Sequence, residues 1–358
     1  MMMKKVIRIM VFLLLLLAGC RNGDDPNRVA SGWVIGNDPD NTAVILHTGN
    51  SGISWEIHGD GSLWKGHCAT DISAVDESTA WAALGGQTSG EGGMIIHTRD
   101  SGSTWEVQSL PQAVPEGVKG IKGISRHEAW AVGLNGPVMH TNNGGETWKI
   151  VPTPGIAFRQ VNRIDVLGND IWIADFGSGE NGMIHSPDRG LTWRQEYLPG
   201  VDVNHGPMTA SIVNAQVAWA SVNMQGELYR TLDGGFTWKI DAPGLSGPND
   251  IDDVCAVGVN EAWAVQNTSG GGYVMRVKVV GNDVLKSDWY FPEYVYEGVS
   301  AFDEQRAWIV GYRAMSSSVT LPKGSILHTN DSGETWVSQT LPVNDVYLWK
   351  VSFVGARR

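Results

Sequence analysis

Apolar and polar positions alternate with a period of two in short runs along most of the chain, and turn residues separate the runs. Residues 118–125, 128–133, 136–141 and 147–151 show the alternation in turn, which predicts four successive strands joined by tight turns. Helical periodicity is scarce. With 45 glycines in 358 residues, the composition favours a fold of many short strands and turns.

Two motifs recur. A small or short aliphatic residue precedes Trp inside an apolar run at Trp33, Trp81, Trp130, Trp172, Trp219, Trp263 and Trp308. A second motif, Ser/Thr-x-Asp-x-Gly-x-Thr-Trp, follows most of them, with its acid at Asp100, Asp188, Asp233 and Asp331 and with Asn50 and Asn143 in its place in two units. The copy expected near Arg276 to Trp289 keeps the Trp and has lost the rest. A four-stranded unit of roughly 47 residues has the length of one propeller blade. Six units begin with an innermost strand, whereas the first opens directly on Gly32-Trp33-Val34-Ile35-Gly36. A surplus innermost strand, residues 348–354, ends the chain. The prediction is an all-β, seven-bladed propeller over residues 31–356 in which the C-terminal strand closes the first blade and removes its free edge.

The second motif resembles the Asp-box, or BNR, repeat of bacterial sialidases and sortilin-type receptors. In such a turn the carboxylate or amide accepts hydrogen bonds from turn N–H groups, Gly takes a positive φ, and the Trp is expected to pack across its own hairpin. Residues that recur in every unit serve the ring, since an active site occurs once. Across residues 30–356 the units also resemble the photosystem II assembly and stability factor family. Val299-Ser300-Ala301-Phe302-Asp303 leading to Ala307-Trp308-Ile309-Val310-Gly311 has the family's form, and so does Tyr229-Arg230-Thr231-Leu232-Asp233-Gly234-Gly235-Phe236-Thr237-Trp238. That resemblance implies a non-enzymatic propeller that binds newly made membrane-protein subunits.

The N-terminus carries different chemistry. Lys4, Lys5 and Arg8 precede the apolar run Val11 to Leu17, too short for a permanent span, and Leu17-Ala18-Gly19-Cys20 follows. It resembles a lipobox, so residues 1–19 read as a signal peptide, Cys20 as the lipidated first residue, and 20–30 as a short tether. Two or more acyl chains hold a protein stably on a membrane. The expected location is the cell envelope, at the outer membrane where the cell has one, because residue 21 is Arg rather than Asp. Without residues 1–19 the chain has 23 basic and 38 acidic side chains, a net of −15. A nucleic-acid partner is disfavoured, because phosphate binding needs a basic face. Cys68 and Cys255 fall in non-adjacent blades and read as two separate buried thiols.

Candidate chemistry lies away from the boxes. His47, His97, His140, His185 and His328 hold one repeat position in different blades, so they spread around the ring and do not converge on a metal. No cofactor is implied, and a monomer is expected. The variable segments Gly85 to Gly93, Asp175 to Asn181, Thr268 to Gly272 and Tyr312 to Lys323 share the face opposite the boxes, where the innermost strands enter. Alignment on the repeated Trp places His67, Glu116, Arg159, His205, Asn249 and Tyr294 around the channel mouth, with Asp71, Lys119, Arg163, Asp252, Asp253, Glu297, Trp349 and Lys350 slightly further in. This polar and aromatic mouth is the candidate surface for an envelope protein or glycan partner. The enzymatic alternative is a sialidase-like glycoside hydrolase, which needs an arginine cluster and paired carboxylates. Arg159 and Arg163 both come from one unit, and Phe158-Arg159-Gln160-Val161 lacks the Pro of the sialidase element. The carboxylates available for pairing are Asp252 and Asp253, facing Asp71 or Glu297.

Overall fold

The computed structural model describes residues 29–354 apart from residue 60 and segments 87–91, 112–113, 115–116, 177–181, 202–204, 224–225, 243–249 and 315–323. The signal and lipobox residues including Cys20, Glu116, Asn249 and most of three of the four variable segments therefore lie outside the described residues.

Seven four-stranded antiparallel sheets form the blades. Blade 1 starts with β1 (Gly32–Asn37), β2 (Ala43–Thr48) and β3 (Glu56–Ile57). Blade 2 is β4 (His67–Ala74), β5 (Ala80–Gly86), β6 (Met94–Thr98) and β7 (Glu106–Val107). Blade 3 is β8 (Val118–Gly123), β9 (Ala129–Gly133), β10 (Val138–Thr141) and β11 (Lys149–Val151). Blade 4 is β12 (Val161–Leu167), β13 (Asp170–Asp175), β14 (Gly182–Ser186) and β15 (Arg194–Tyr197). Blade 5 is β16 (Pro207–Asn214), β17 (Val217–Val222), β18 (Leu228–Thr231) and β19 (Lys239–Ala242). Blade 6 is β20 (Asp250–Gly258), β21 (Glu261–Thr268), β22 (Gly271–Val280) and β23 (Asp283–Pro292). Blade 7 is β24 (Tyr294–Ala301), β25 (Ala307–Arg313), β26 (Gly324–Thr329) and β27 (Val337–Ser338). The chain then returns to blade 1 as β28 (Tyr347–Phe353), which pairs antiparallel with β1 and closes the ring. No helix among the described residues is long and apolar enough to cross a membrane.

The second strand of each blade is covered on both faces by its neighbours. β9, β13 and β17 are therefore buried at every position and are largely apolar, with Asp170 and Asp175 at the ends of β13 and Ser221 in β17 as the polar exceptions. Their Trp side chains are the largest bulk in the core, and Trp33, Trp81, Trp219 and Trp263 are 0% exposed. Each Trp faces its cross-strand partner on the third strand. That partner is a stacked His in five blades, at ring separations from 3.5 Å for Trp81 and His97 to 4.4 Å for Trp308 and His328. In the other two it is Arg230 over Trp219 or Arg276 over Trp263, at 5.2 and 5.8 Å.

The box turns explain their own sequence. In blade 2 the Thr104 N–H and hydroxyl donate to Asp100 at 2.9 and 2.7 Å, the Thr98 hydroxyl donates to Asp100 at 2.9 Å, and the Gly102 N–H donates to Thr98 Oγ1 at 2.9 Å. Equivalent sets surround Asn50, Asn143, Asp188, Asp233 and Asp331. Gly102 has φ 83°, and a Cβ there would strike His58 and Trp33 of the preceding blade. The box Trp departs from the expected packing across its own hairpin. Trp105, Trp148, Trp238 and Trp336 instead meet the second-strand Trp of the preceding blade edge-on, at 5.4 to 5.9 Å, because the blade twist swings the hairpin over its neighbour. Box and core Trp together bind one blade to the next.

Blade 6 lacks the box, and its outer hairpin runs on through ten paired residues in each strand. Its Trp289 stacks on Trp263 of its own blade.

Innermost strands of adjacent blades share no β-ladder, so side chains satisfy their channel-side N–H groups. Ser73 accepts from Gly123, Ser211 from Ala256, Ser300 from Phe353 and Ser352 from Ala74, at 2.7 to 3.1 Å. Cys255 joins this stitching, accepting from the Ala301 N–H at 3.3 Å. Cys68 and Cys255 are not joined by a disulfide. Cys255 is buried, but Cys68 is only half-buried, because it sits where β4 enters from the mouth.

Candidate functional site at the channel mouth

Every innermost strand carries a β-bulge in one register: the residue after the bulge pairs with the residue two beyond the repeated Trp. The seven extra residues are Thr70, Lys119, Asn162, Met208, Asp252, Glu297 and Trp349. A bulge re-aims side chains and interrupts pairing. Seven of them around one axis make a mouth layer of unlike residues above a second, more buried layer.

The second layer is a charged plug. Arg163 of β12 reaches across the channel and donates from Nη1 to Asp253 Oδ1 of β20 at 2.5 Å, while Lys350 Nζ of β28 stands 3.8 Å from Asp253 Oδ2. The Val254 and Val299 N–H groups also donate to Asp253, at 3.0 and 3.2 Å. Burial opposes ionisation of Asp253, yet Arg163 and Lys350 prevail and hold its carboxyl below the ordinary range. Asp71 of β4 lies within the field of the same Arg163 and accepts from the Ile121 N–H at 3.0 Å, and burial raises its pKa. Beneath the plug, a cavity of about 50 Å³ is lined by Ser73, Lys122, Asp165 and Ser352 among others. Lys122 pairs there with Asp165 at 2.8 Å.

The mouth layer is richest where blades 6, 7 and 1 meet. Asp252 accepts from Asn267 Nδ2 at 2.7 Å, and Asn267 also bonds the backbone of Tyr296 at 2.8 and 2.9 Å, so one amide spans two blades. Burial first, then the charges of Glu297 and Asp250, push the Asp252 carboxyl well up. Glu297 is raised as well, chiefly by burial and against the pull of Lys350, whose ammonium donates to the Glu297 carbonyl at 3.1 Å. The Tyr312 hydroxyl is hydrogen-bonded to Glu297, and burial followed by that carboxylate pushes its pKa up to about 12. Tyr312, Tyr347 and Trp349 form a ring cluster with centroids 5.2, 5.4 and 6.4 Å apart.

Several residues expected at a wet mouth are placed otherwise. Asp71 and Asp253 are 3% and 0% exposed, and with Arg163 they form the plug, because the bulge turns the following residue inward. A partner on the surface does not reach these carboxylates. Arg159 gives its backbone N–H to Asp175 at 3.2 Å. His67 opens β4, His205 precedes β16, and Tyr294 opens β24, where it stacks on Tyr296 at 6.0 Å. The structure does bring Asp252, Glu297, Trp349 and Lys350 together, and it adds Tyr312, Tyr347 and Asn267. Of these, only Tyr312 had a signal in the sequence, as the start of the longest variable segment.

The ring, its boxes and its plugged channel define a single-ring Asp-box propeller. The chain is more particularly similar to the family described as photosynthesis system II assembly factor YCF48, whose sequence profile matches residues 118–282. The photosystem II assembly lipoprotein Ycf48 of Synechococcus sp. (strain CC9902) is 25% identical over 194 residues, covering 53% of this chain. The match spans about half of that relative, 51% of its length. Among solved structures, YCF48 bound to D1 peptide aligns with a TM-score of 0.56 at 16% identity, over 76% of this chain and 81% of that one. YCF48 from Cyanidioschyzon merolae gives 0.58 at 15%, over 77% and 92%. A GH74 enzyme from Niastella koreensis gives 0.54 at 11%, over 91% and 68%. At these identities the structural likeness is one of fold.

Proposed function

We propose that this chain is a non-catalytic docking scaffold, held on a cell-envelope membrane through lipid on Cys20, that captures a protein or glycan partner on the face opposite the Asp boxes. The observation that carries the reading is the ring of seven bulges, the one register in which every blade contributes a different side chain to a shared opening. Rigid rings that present unlike residues at one end are suited to recognition. The sequence similarity to assembly factors, one of them named a lipoprotein, and the likeness of fold to one solved with D1 peptide bound support a protein partner. Crosslinked capture from intact envelopes, with the full chain as bait, tests this reading. A specific partner is expected with the wild type and is lost when the mouth is altered; recovery of bulk envelope proteins alone contradicts the proposal.

The glycosidase reading draws on the Asp252 and Glu297 pair and on the GH74 likeness of fold. Against it, Asp71 and Asp253 are already committed to Arg163 and backbone N–H groups. Turnover of a fluorogenic glycoside panel, sialosides included, that Glu297→Gln abolishes would replace the scaffold with an enzyme.

A further inference from the structure

The scaffold reading leaves open what chemistry the mouth selects, and the corner between blades 6, 7 and 1 supplies it. We propose that Asp252, Glu297, Tyr312, Tyr347 and Trp349 form a cage for a cationic side chain, lysine or arginine, carried by a peptide segment of the partner. This inference rests on the scaffold reading for the partner's class and on the cage geometry for its charge.

Two independent features converge. The first is an excess of negative charge. Asp252, Asp253 and Glu297 all sit near Lys350, Asp250 adds its charge beside Asp252 and Glu297, and Arg163 is spent on Asp253 one layer down. Lys350 is held by the Glu297 carbonyl and by Asp253, so one ammonium is shared among the Asp252, Asp253 and Glu297 carboxylates at this corner. Burial is the first cause that keeps the Asp252 and Glu297 carboxyls from ionising, and repulsion among Asp250, Asp252, Asp253 and Glu297 adds to it against Lys350; a further cation at this corner opposes that repulsion. The second feature is aromatic. Three half-buried rings, Tyr312, Tyr347 and Trp349, cluster together, Tyr312 adjoins Glu297 and Asp252, and ring faces attract ammonium and guanidinium groups. Tyr312 links the two features by its hydrogen bond to Glu297. The Trp349 indole N–H is shielded from solvent and meets no acceptor among the described residues, an unspent donor at the edge of the cage.

The cage predicts a preference that an unspecific polar mouth would not show. Full-length chain labelled with ¹⁵N-tryptophan is titrated with acetyl-Ala-Lys-Ala-Lys-Ala-amide and with its glutamine counterpart, and the Trp349 indole signal is identified by its loss in Trp349→Phe. The lysine peptide is expected to shift that signal, and Asp252→Asn with Glu297→Gln to weaken the effect by about tenfold. Unchanged signals from Trp81 and Trp263 in the double variant show that the ring remains folded. Equal response to the lysine and glutamine peptides, or full response in the double variant, overturns the cage. Envelope capture that survives the double variant also overturns the cage while leaving the scaffold intact. A lysine-dependent shift without any captured partner supports the cage and removes the scaffold.

Discussion

The two ends of the channel are built on opposite principles. At the box end, one turn is repeated six times with the same bonds, and each turn's Trp or Gly packs on the preceding blade. At the mouth, one bulge is repeated seven times with seven different residues. Backbone geometry recurs in six blades at the box end and in all seven at the mouth, and side-chain identity recurs only at the box end. Repetition at the box end accounts for stability, and its breakdown at the mouth accounts for selectivity.

Substitutions can break this contrast. Trp81→Ala removes a fully buried ring that stacks on His97 and meets Trp148 of the next blade, and should cost about 3–5 kcal/mol in chemical denaturation. Arg163→Met leaves Asp253 buried beside Lys350 alone and should cost about 3 kcal/mol, with much of it restored by adding Asp253→Asn. Failure of the second change to compensate would show that the plug is held by packing rather than charge.

Acid separates the two ends by sign. Burial, then the Arg99 charge, lowers the His97 pKa to about 3, and burial lowers His47 and His328 to about 4. These folded-state values are depressed below 6.5, so the neutral rings contribute full stability above pH 6.5 and lose it as pH falls toward 4. For His97 the slope is about 1.4 kcal/mol per pH unit, readable from Tm against pH. Asp252 and Glu297 behave oppositely: their raised folded pKa values mean that stability is full below the ordinary carboxylate range and falls as pH rises through the raised value. Among the single changes, Asp100→Ala should cost about 1 kcal/mol through its lost turn bonds. The smallest effect is a slight rise in Tm for Asp252→Asn at pH 8 that is absent at pH 4.

The same contrast explains what could be read from the sequence. Blade number, closure by residues 348–354 and the outer turns were legible because Trp33 to Trp308 and the boxes recur at a blade's spacing. The histidines were legible as a repeated position but not as the stacking partners of those Trp residues, since the cross-strand register sets that contact. The bulges left no signal, because one added residue in a polar channel strand looks like ordinary variation. Nor could Arg163 be matched to Asp253, two blades and 90 residues away. Asp71 was expected just inside the mouth as part of the binding surface and is buried in the plug.

The claim that recognition lies at the mouth is tested most directly by site-specific photocrosslinking in intact envelopes. A photoreactive residue is placed at Lys119, Met208 or Trp349 and, on the box turns, at the exposed Leu191 or Phe236. The account predicts one discrete partner adduct from the mouth positions and none from the turns; an adduct from Leu191 or Phe236 with a silent mouth would contradict it.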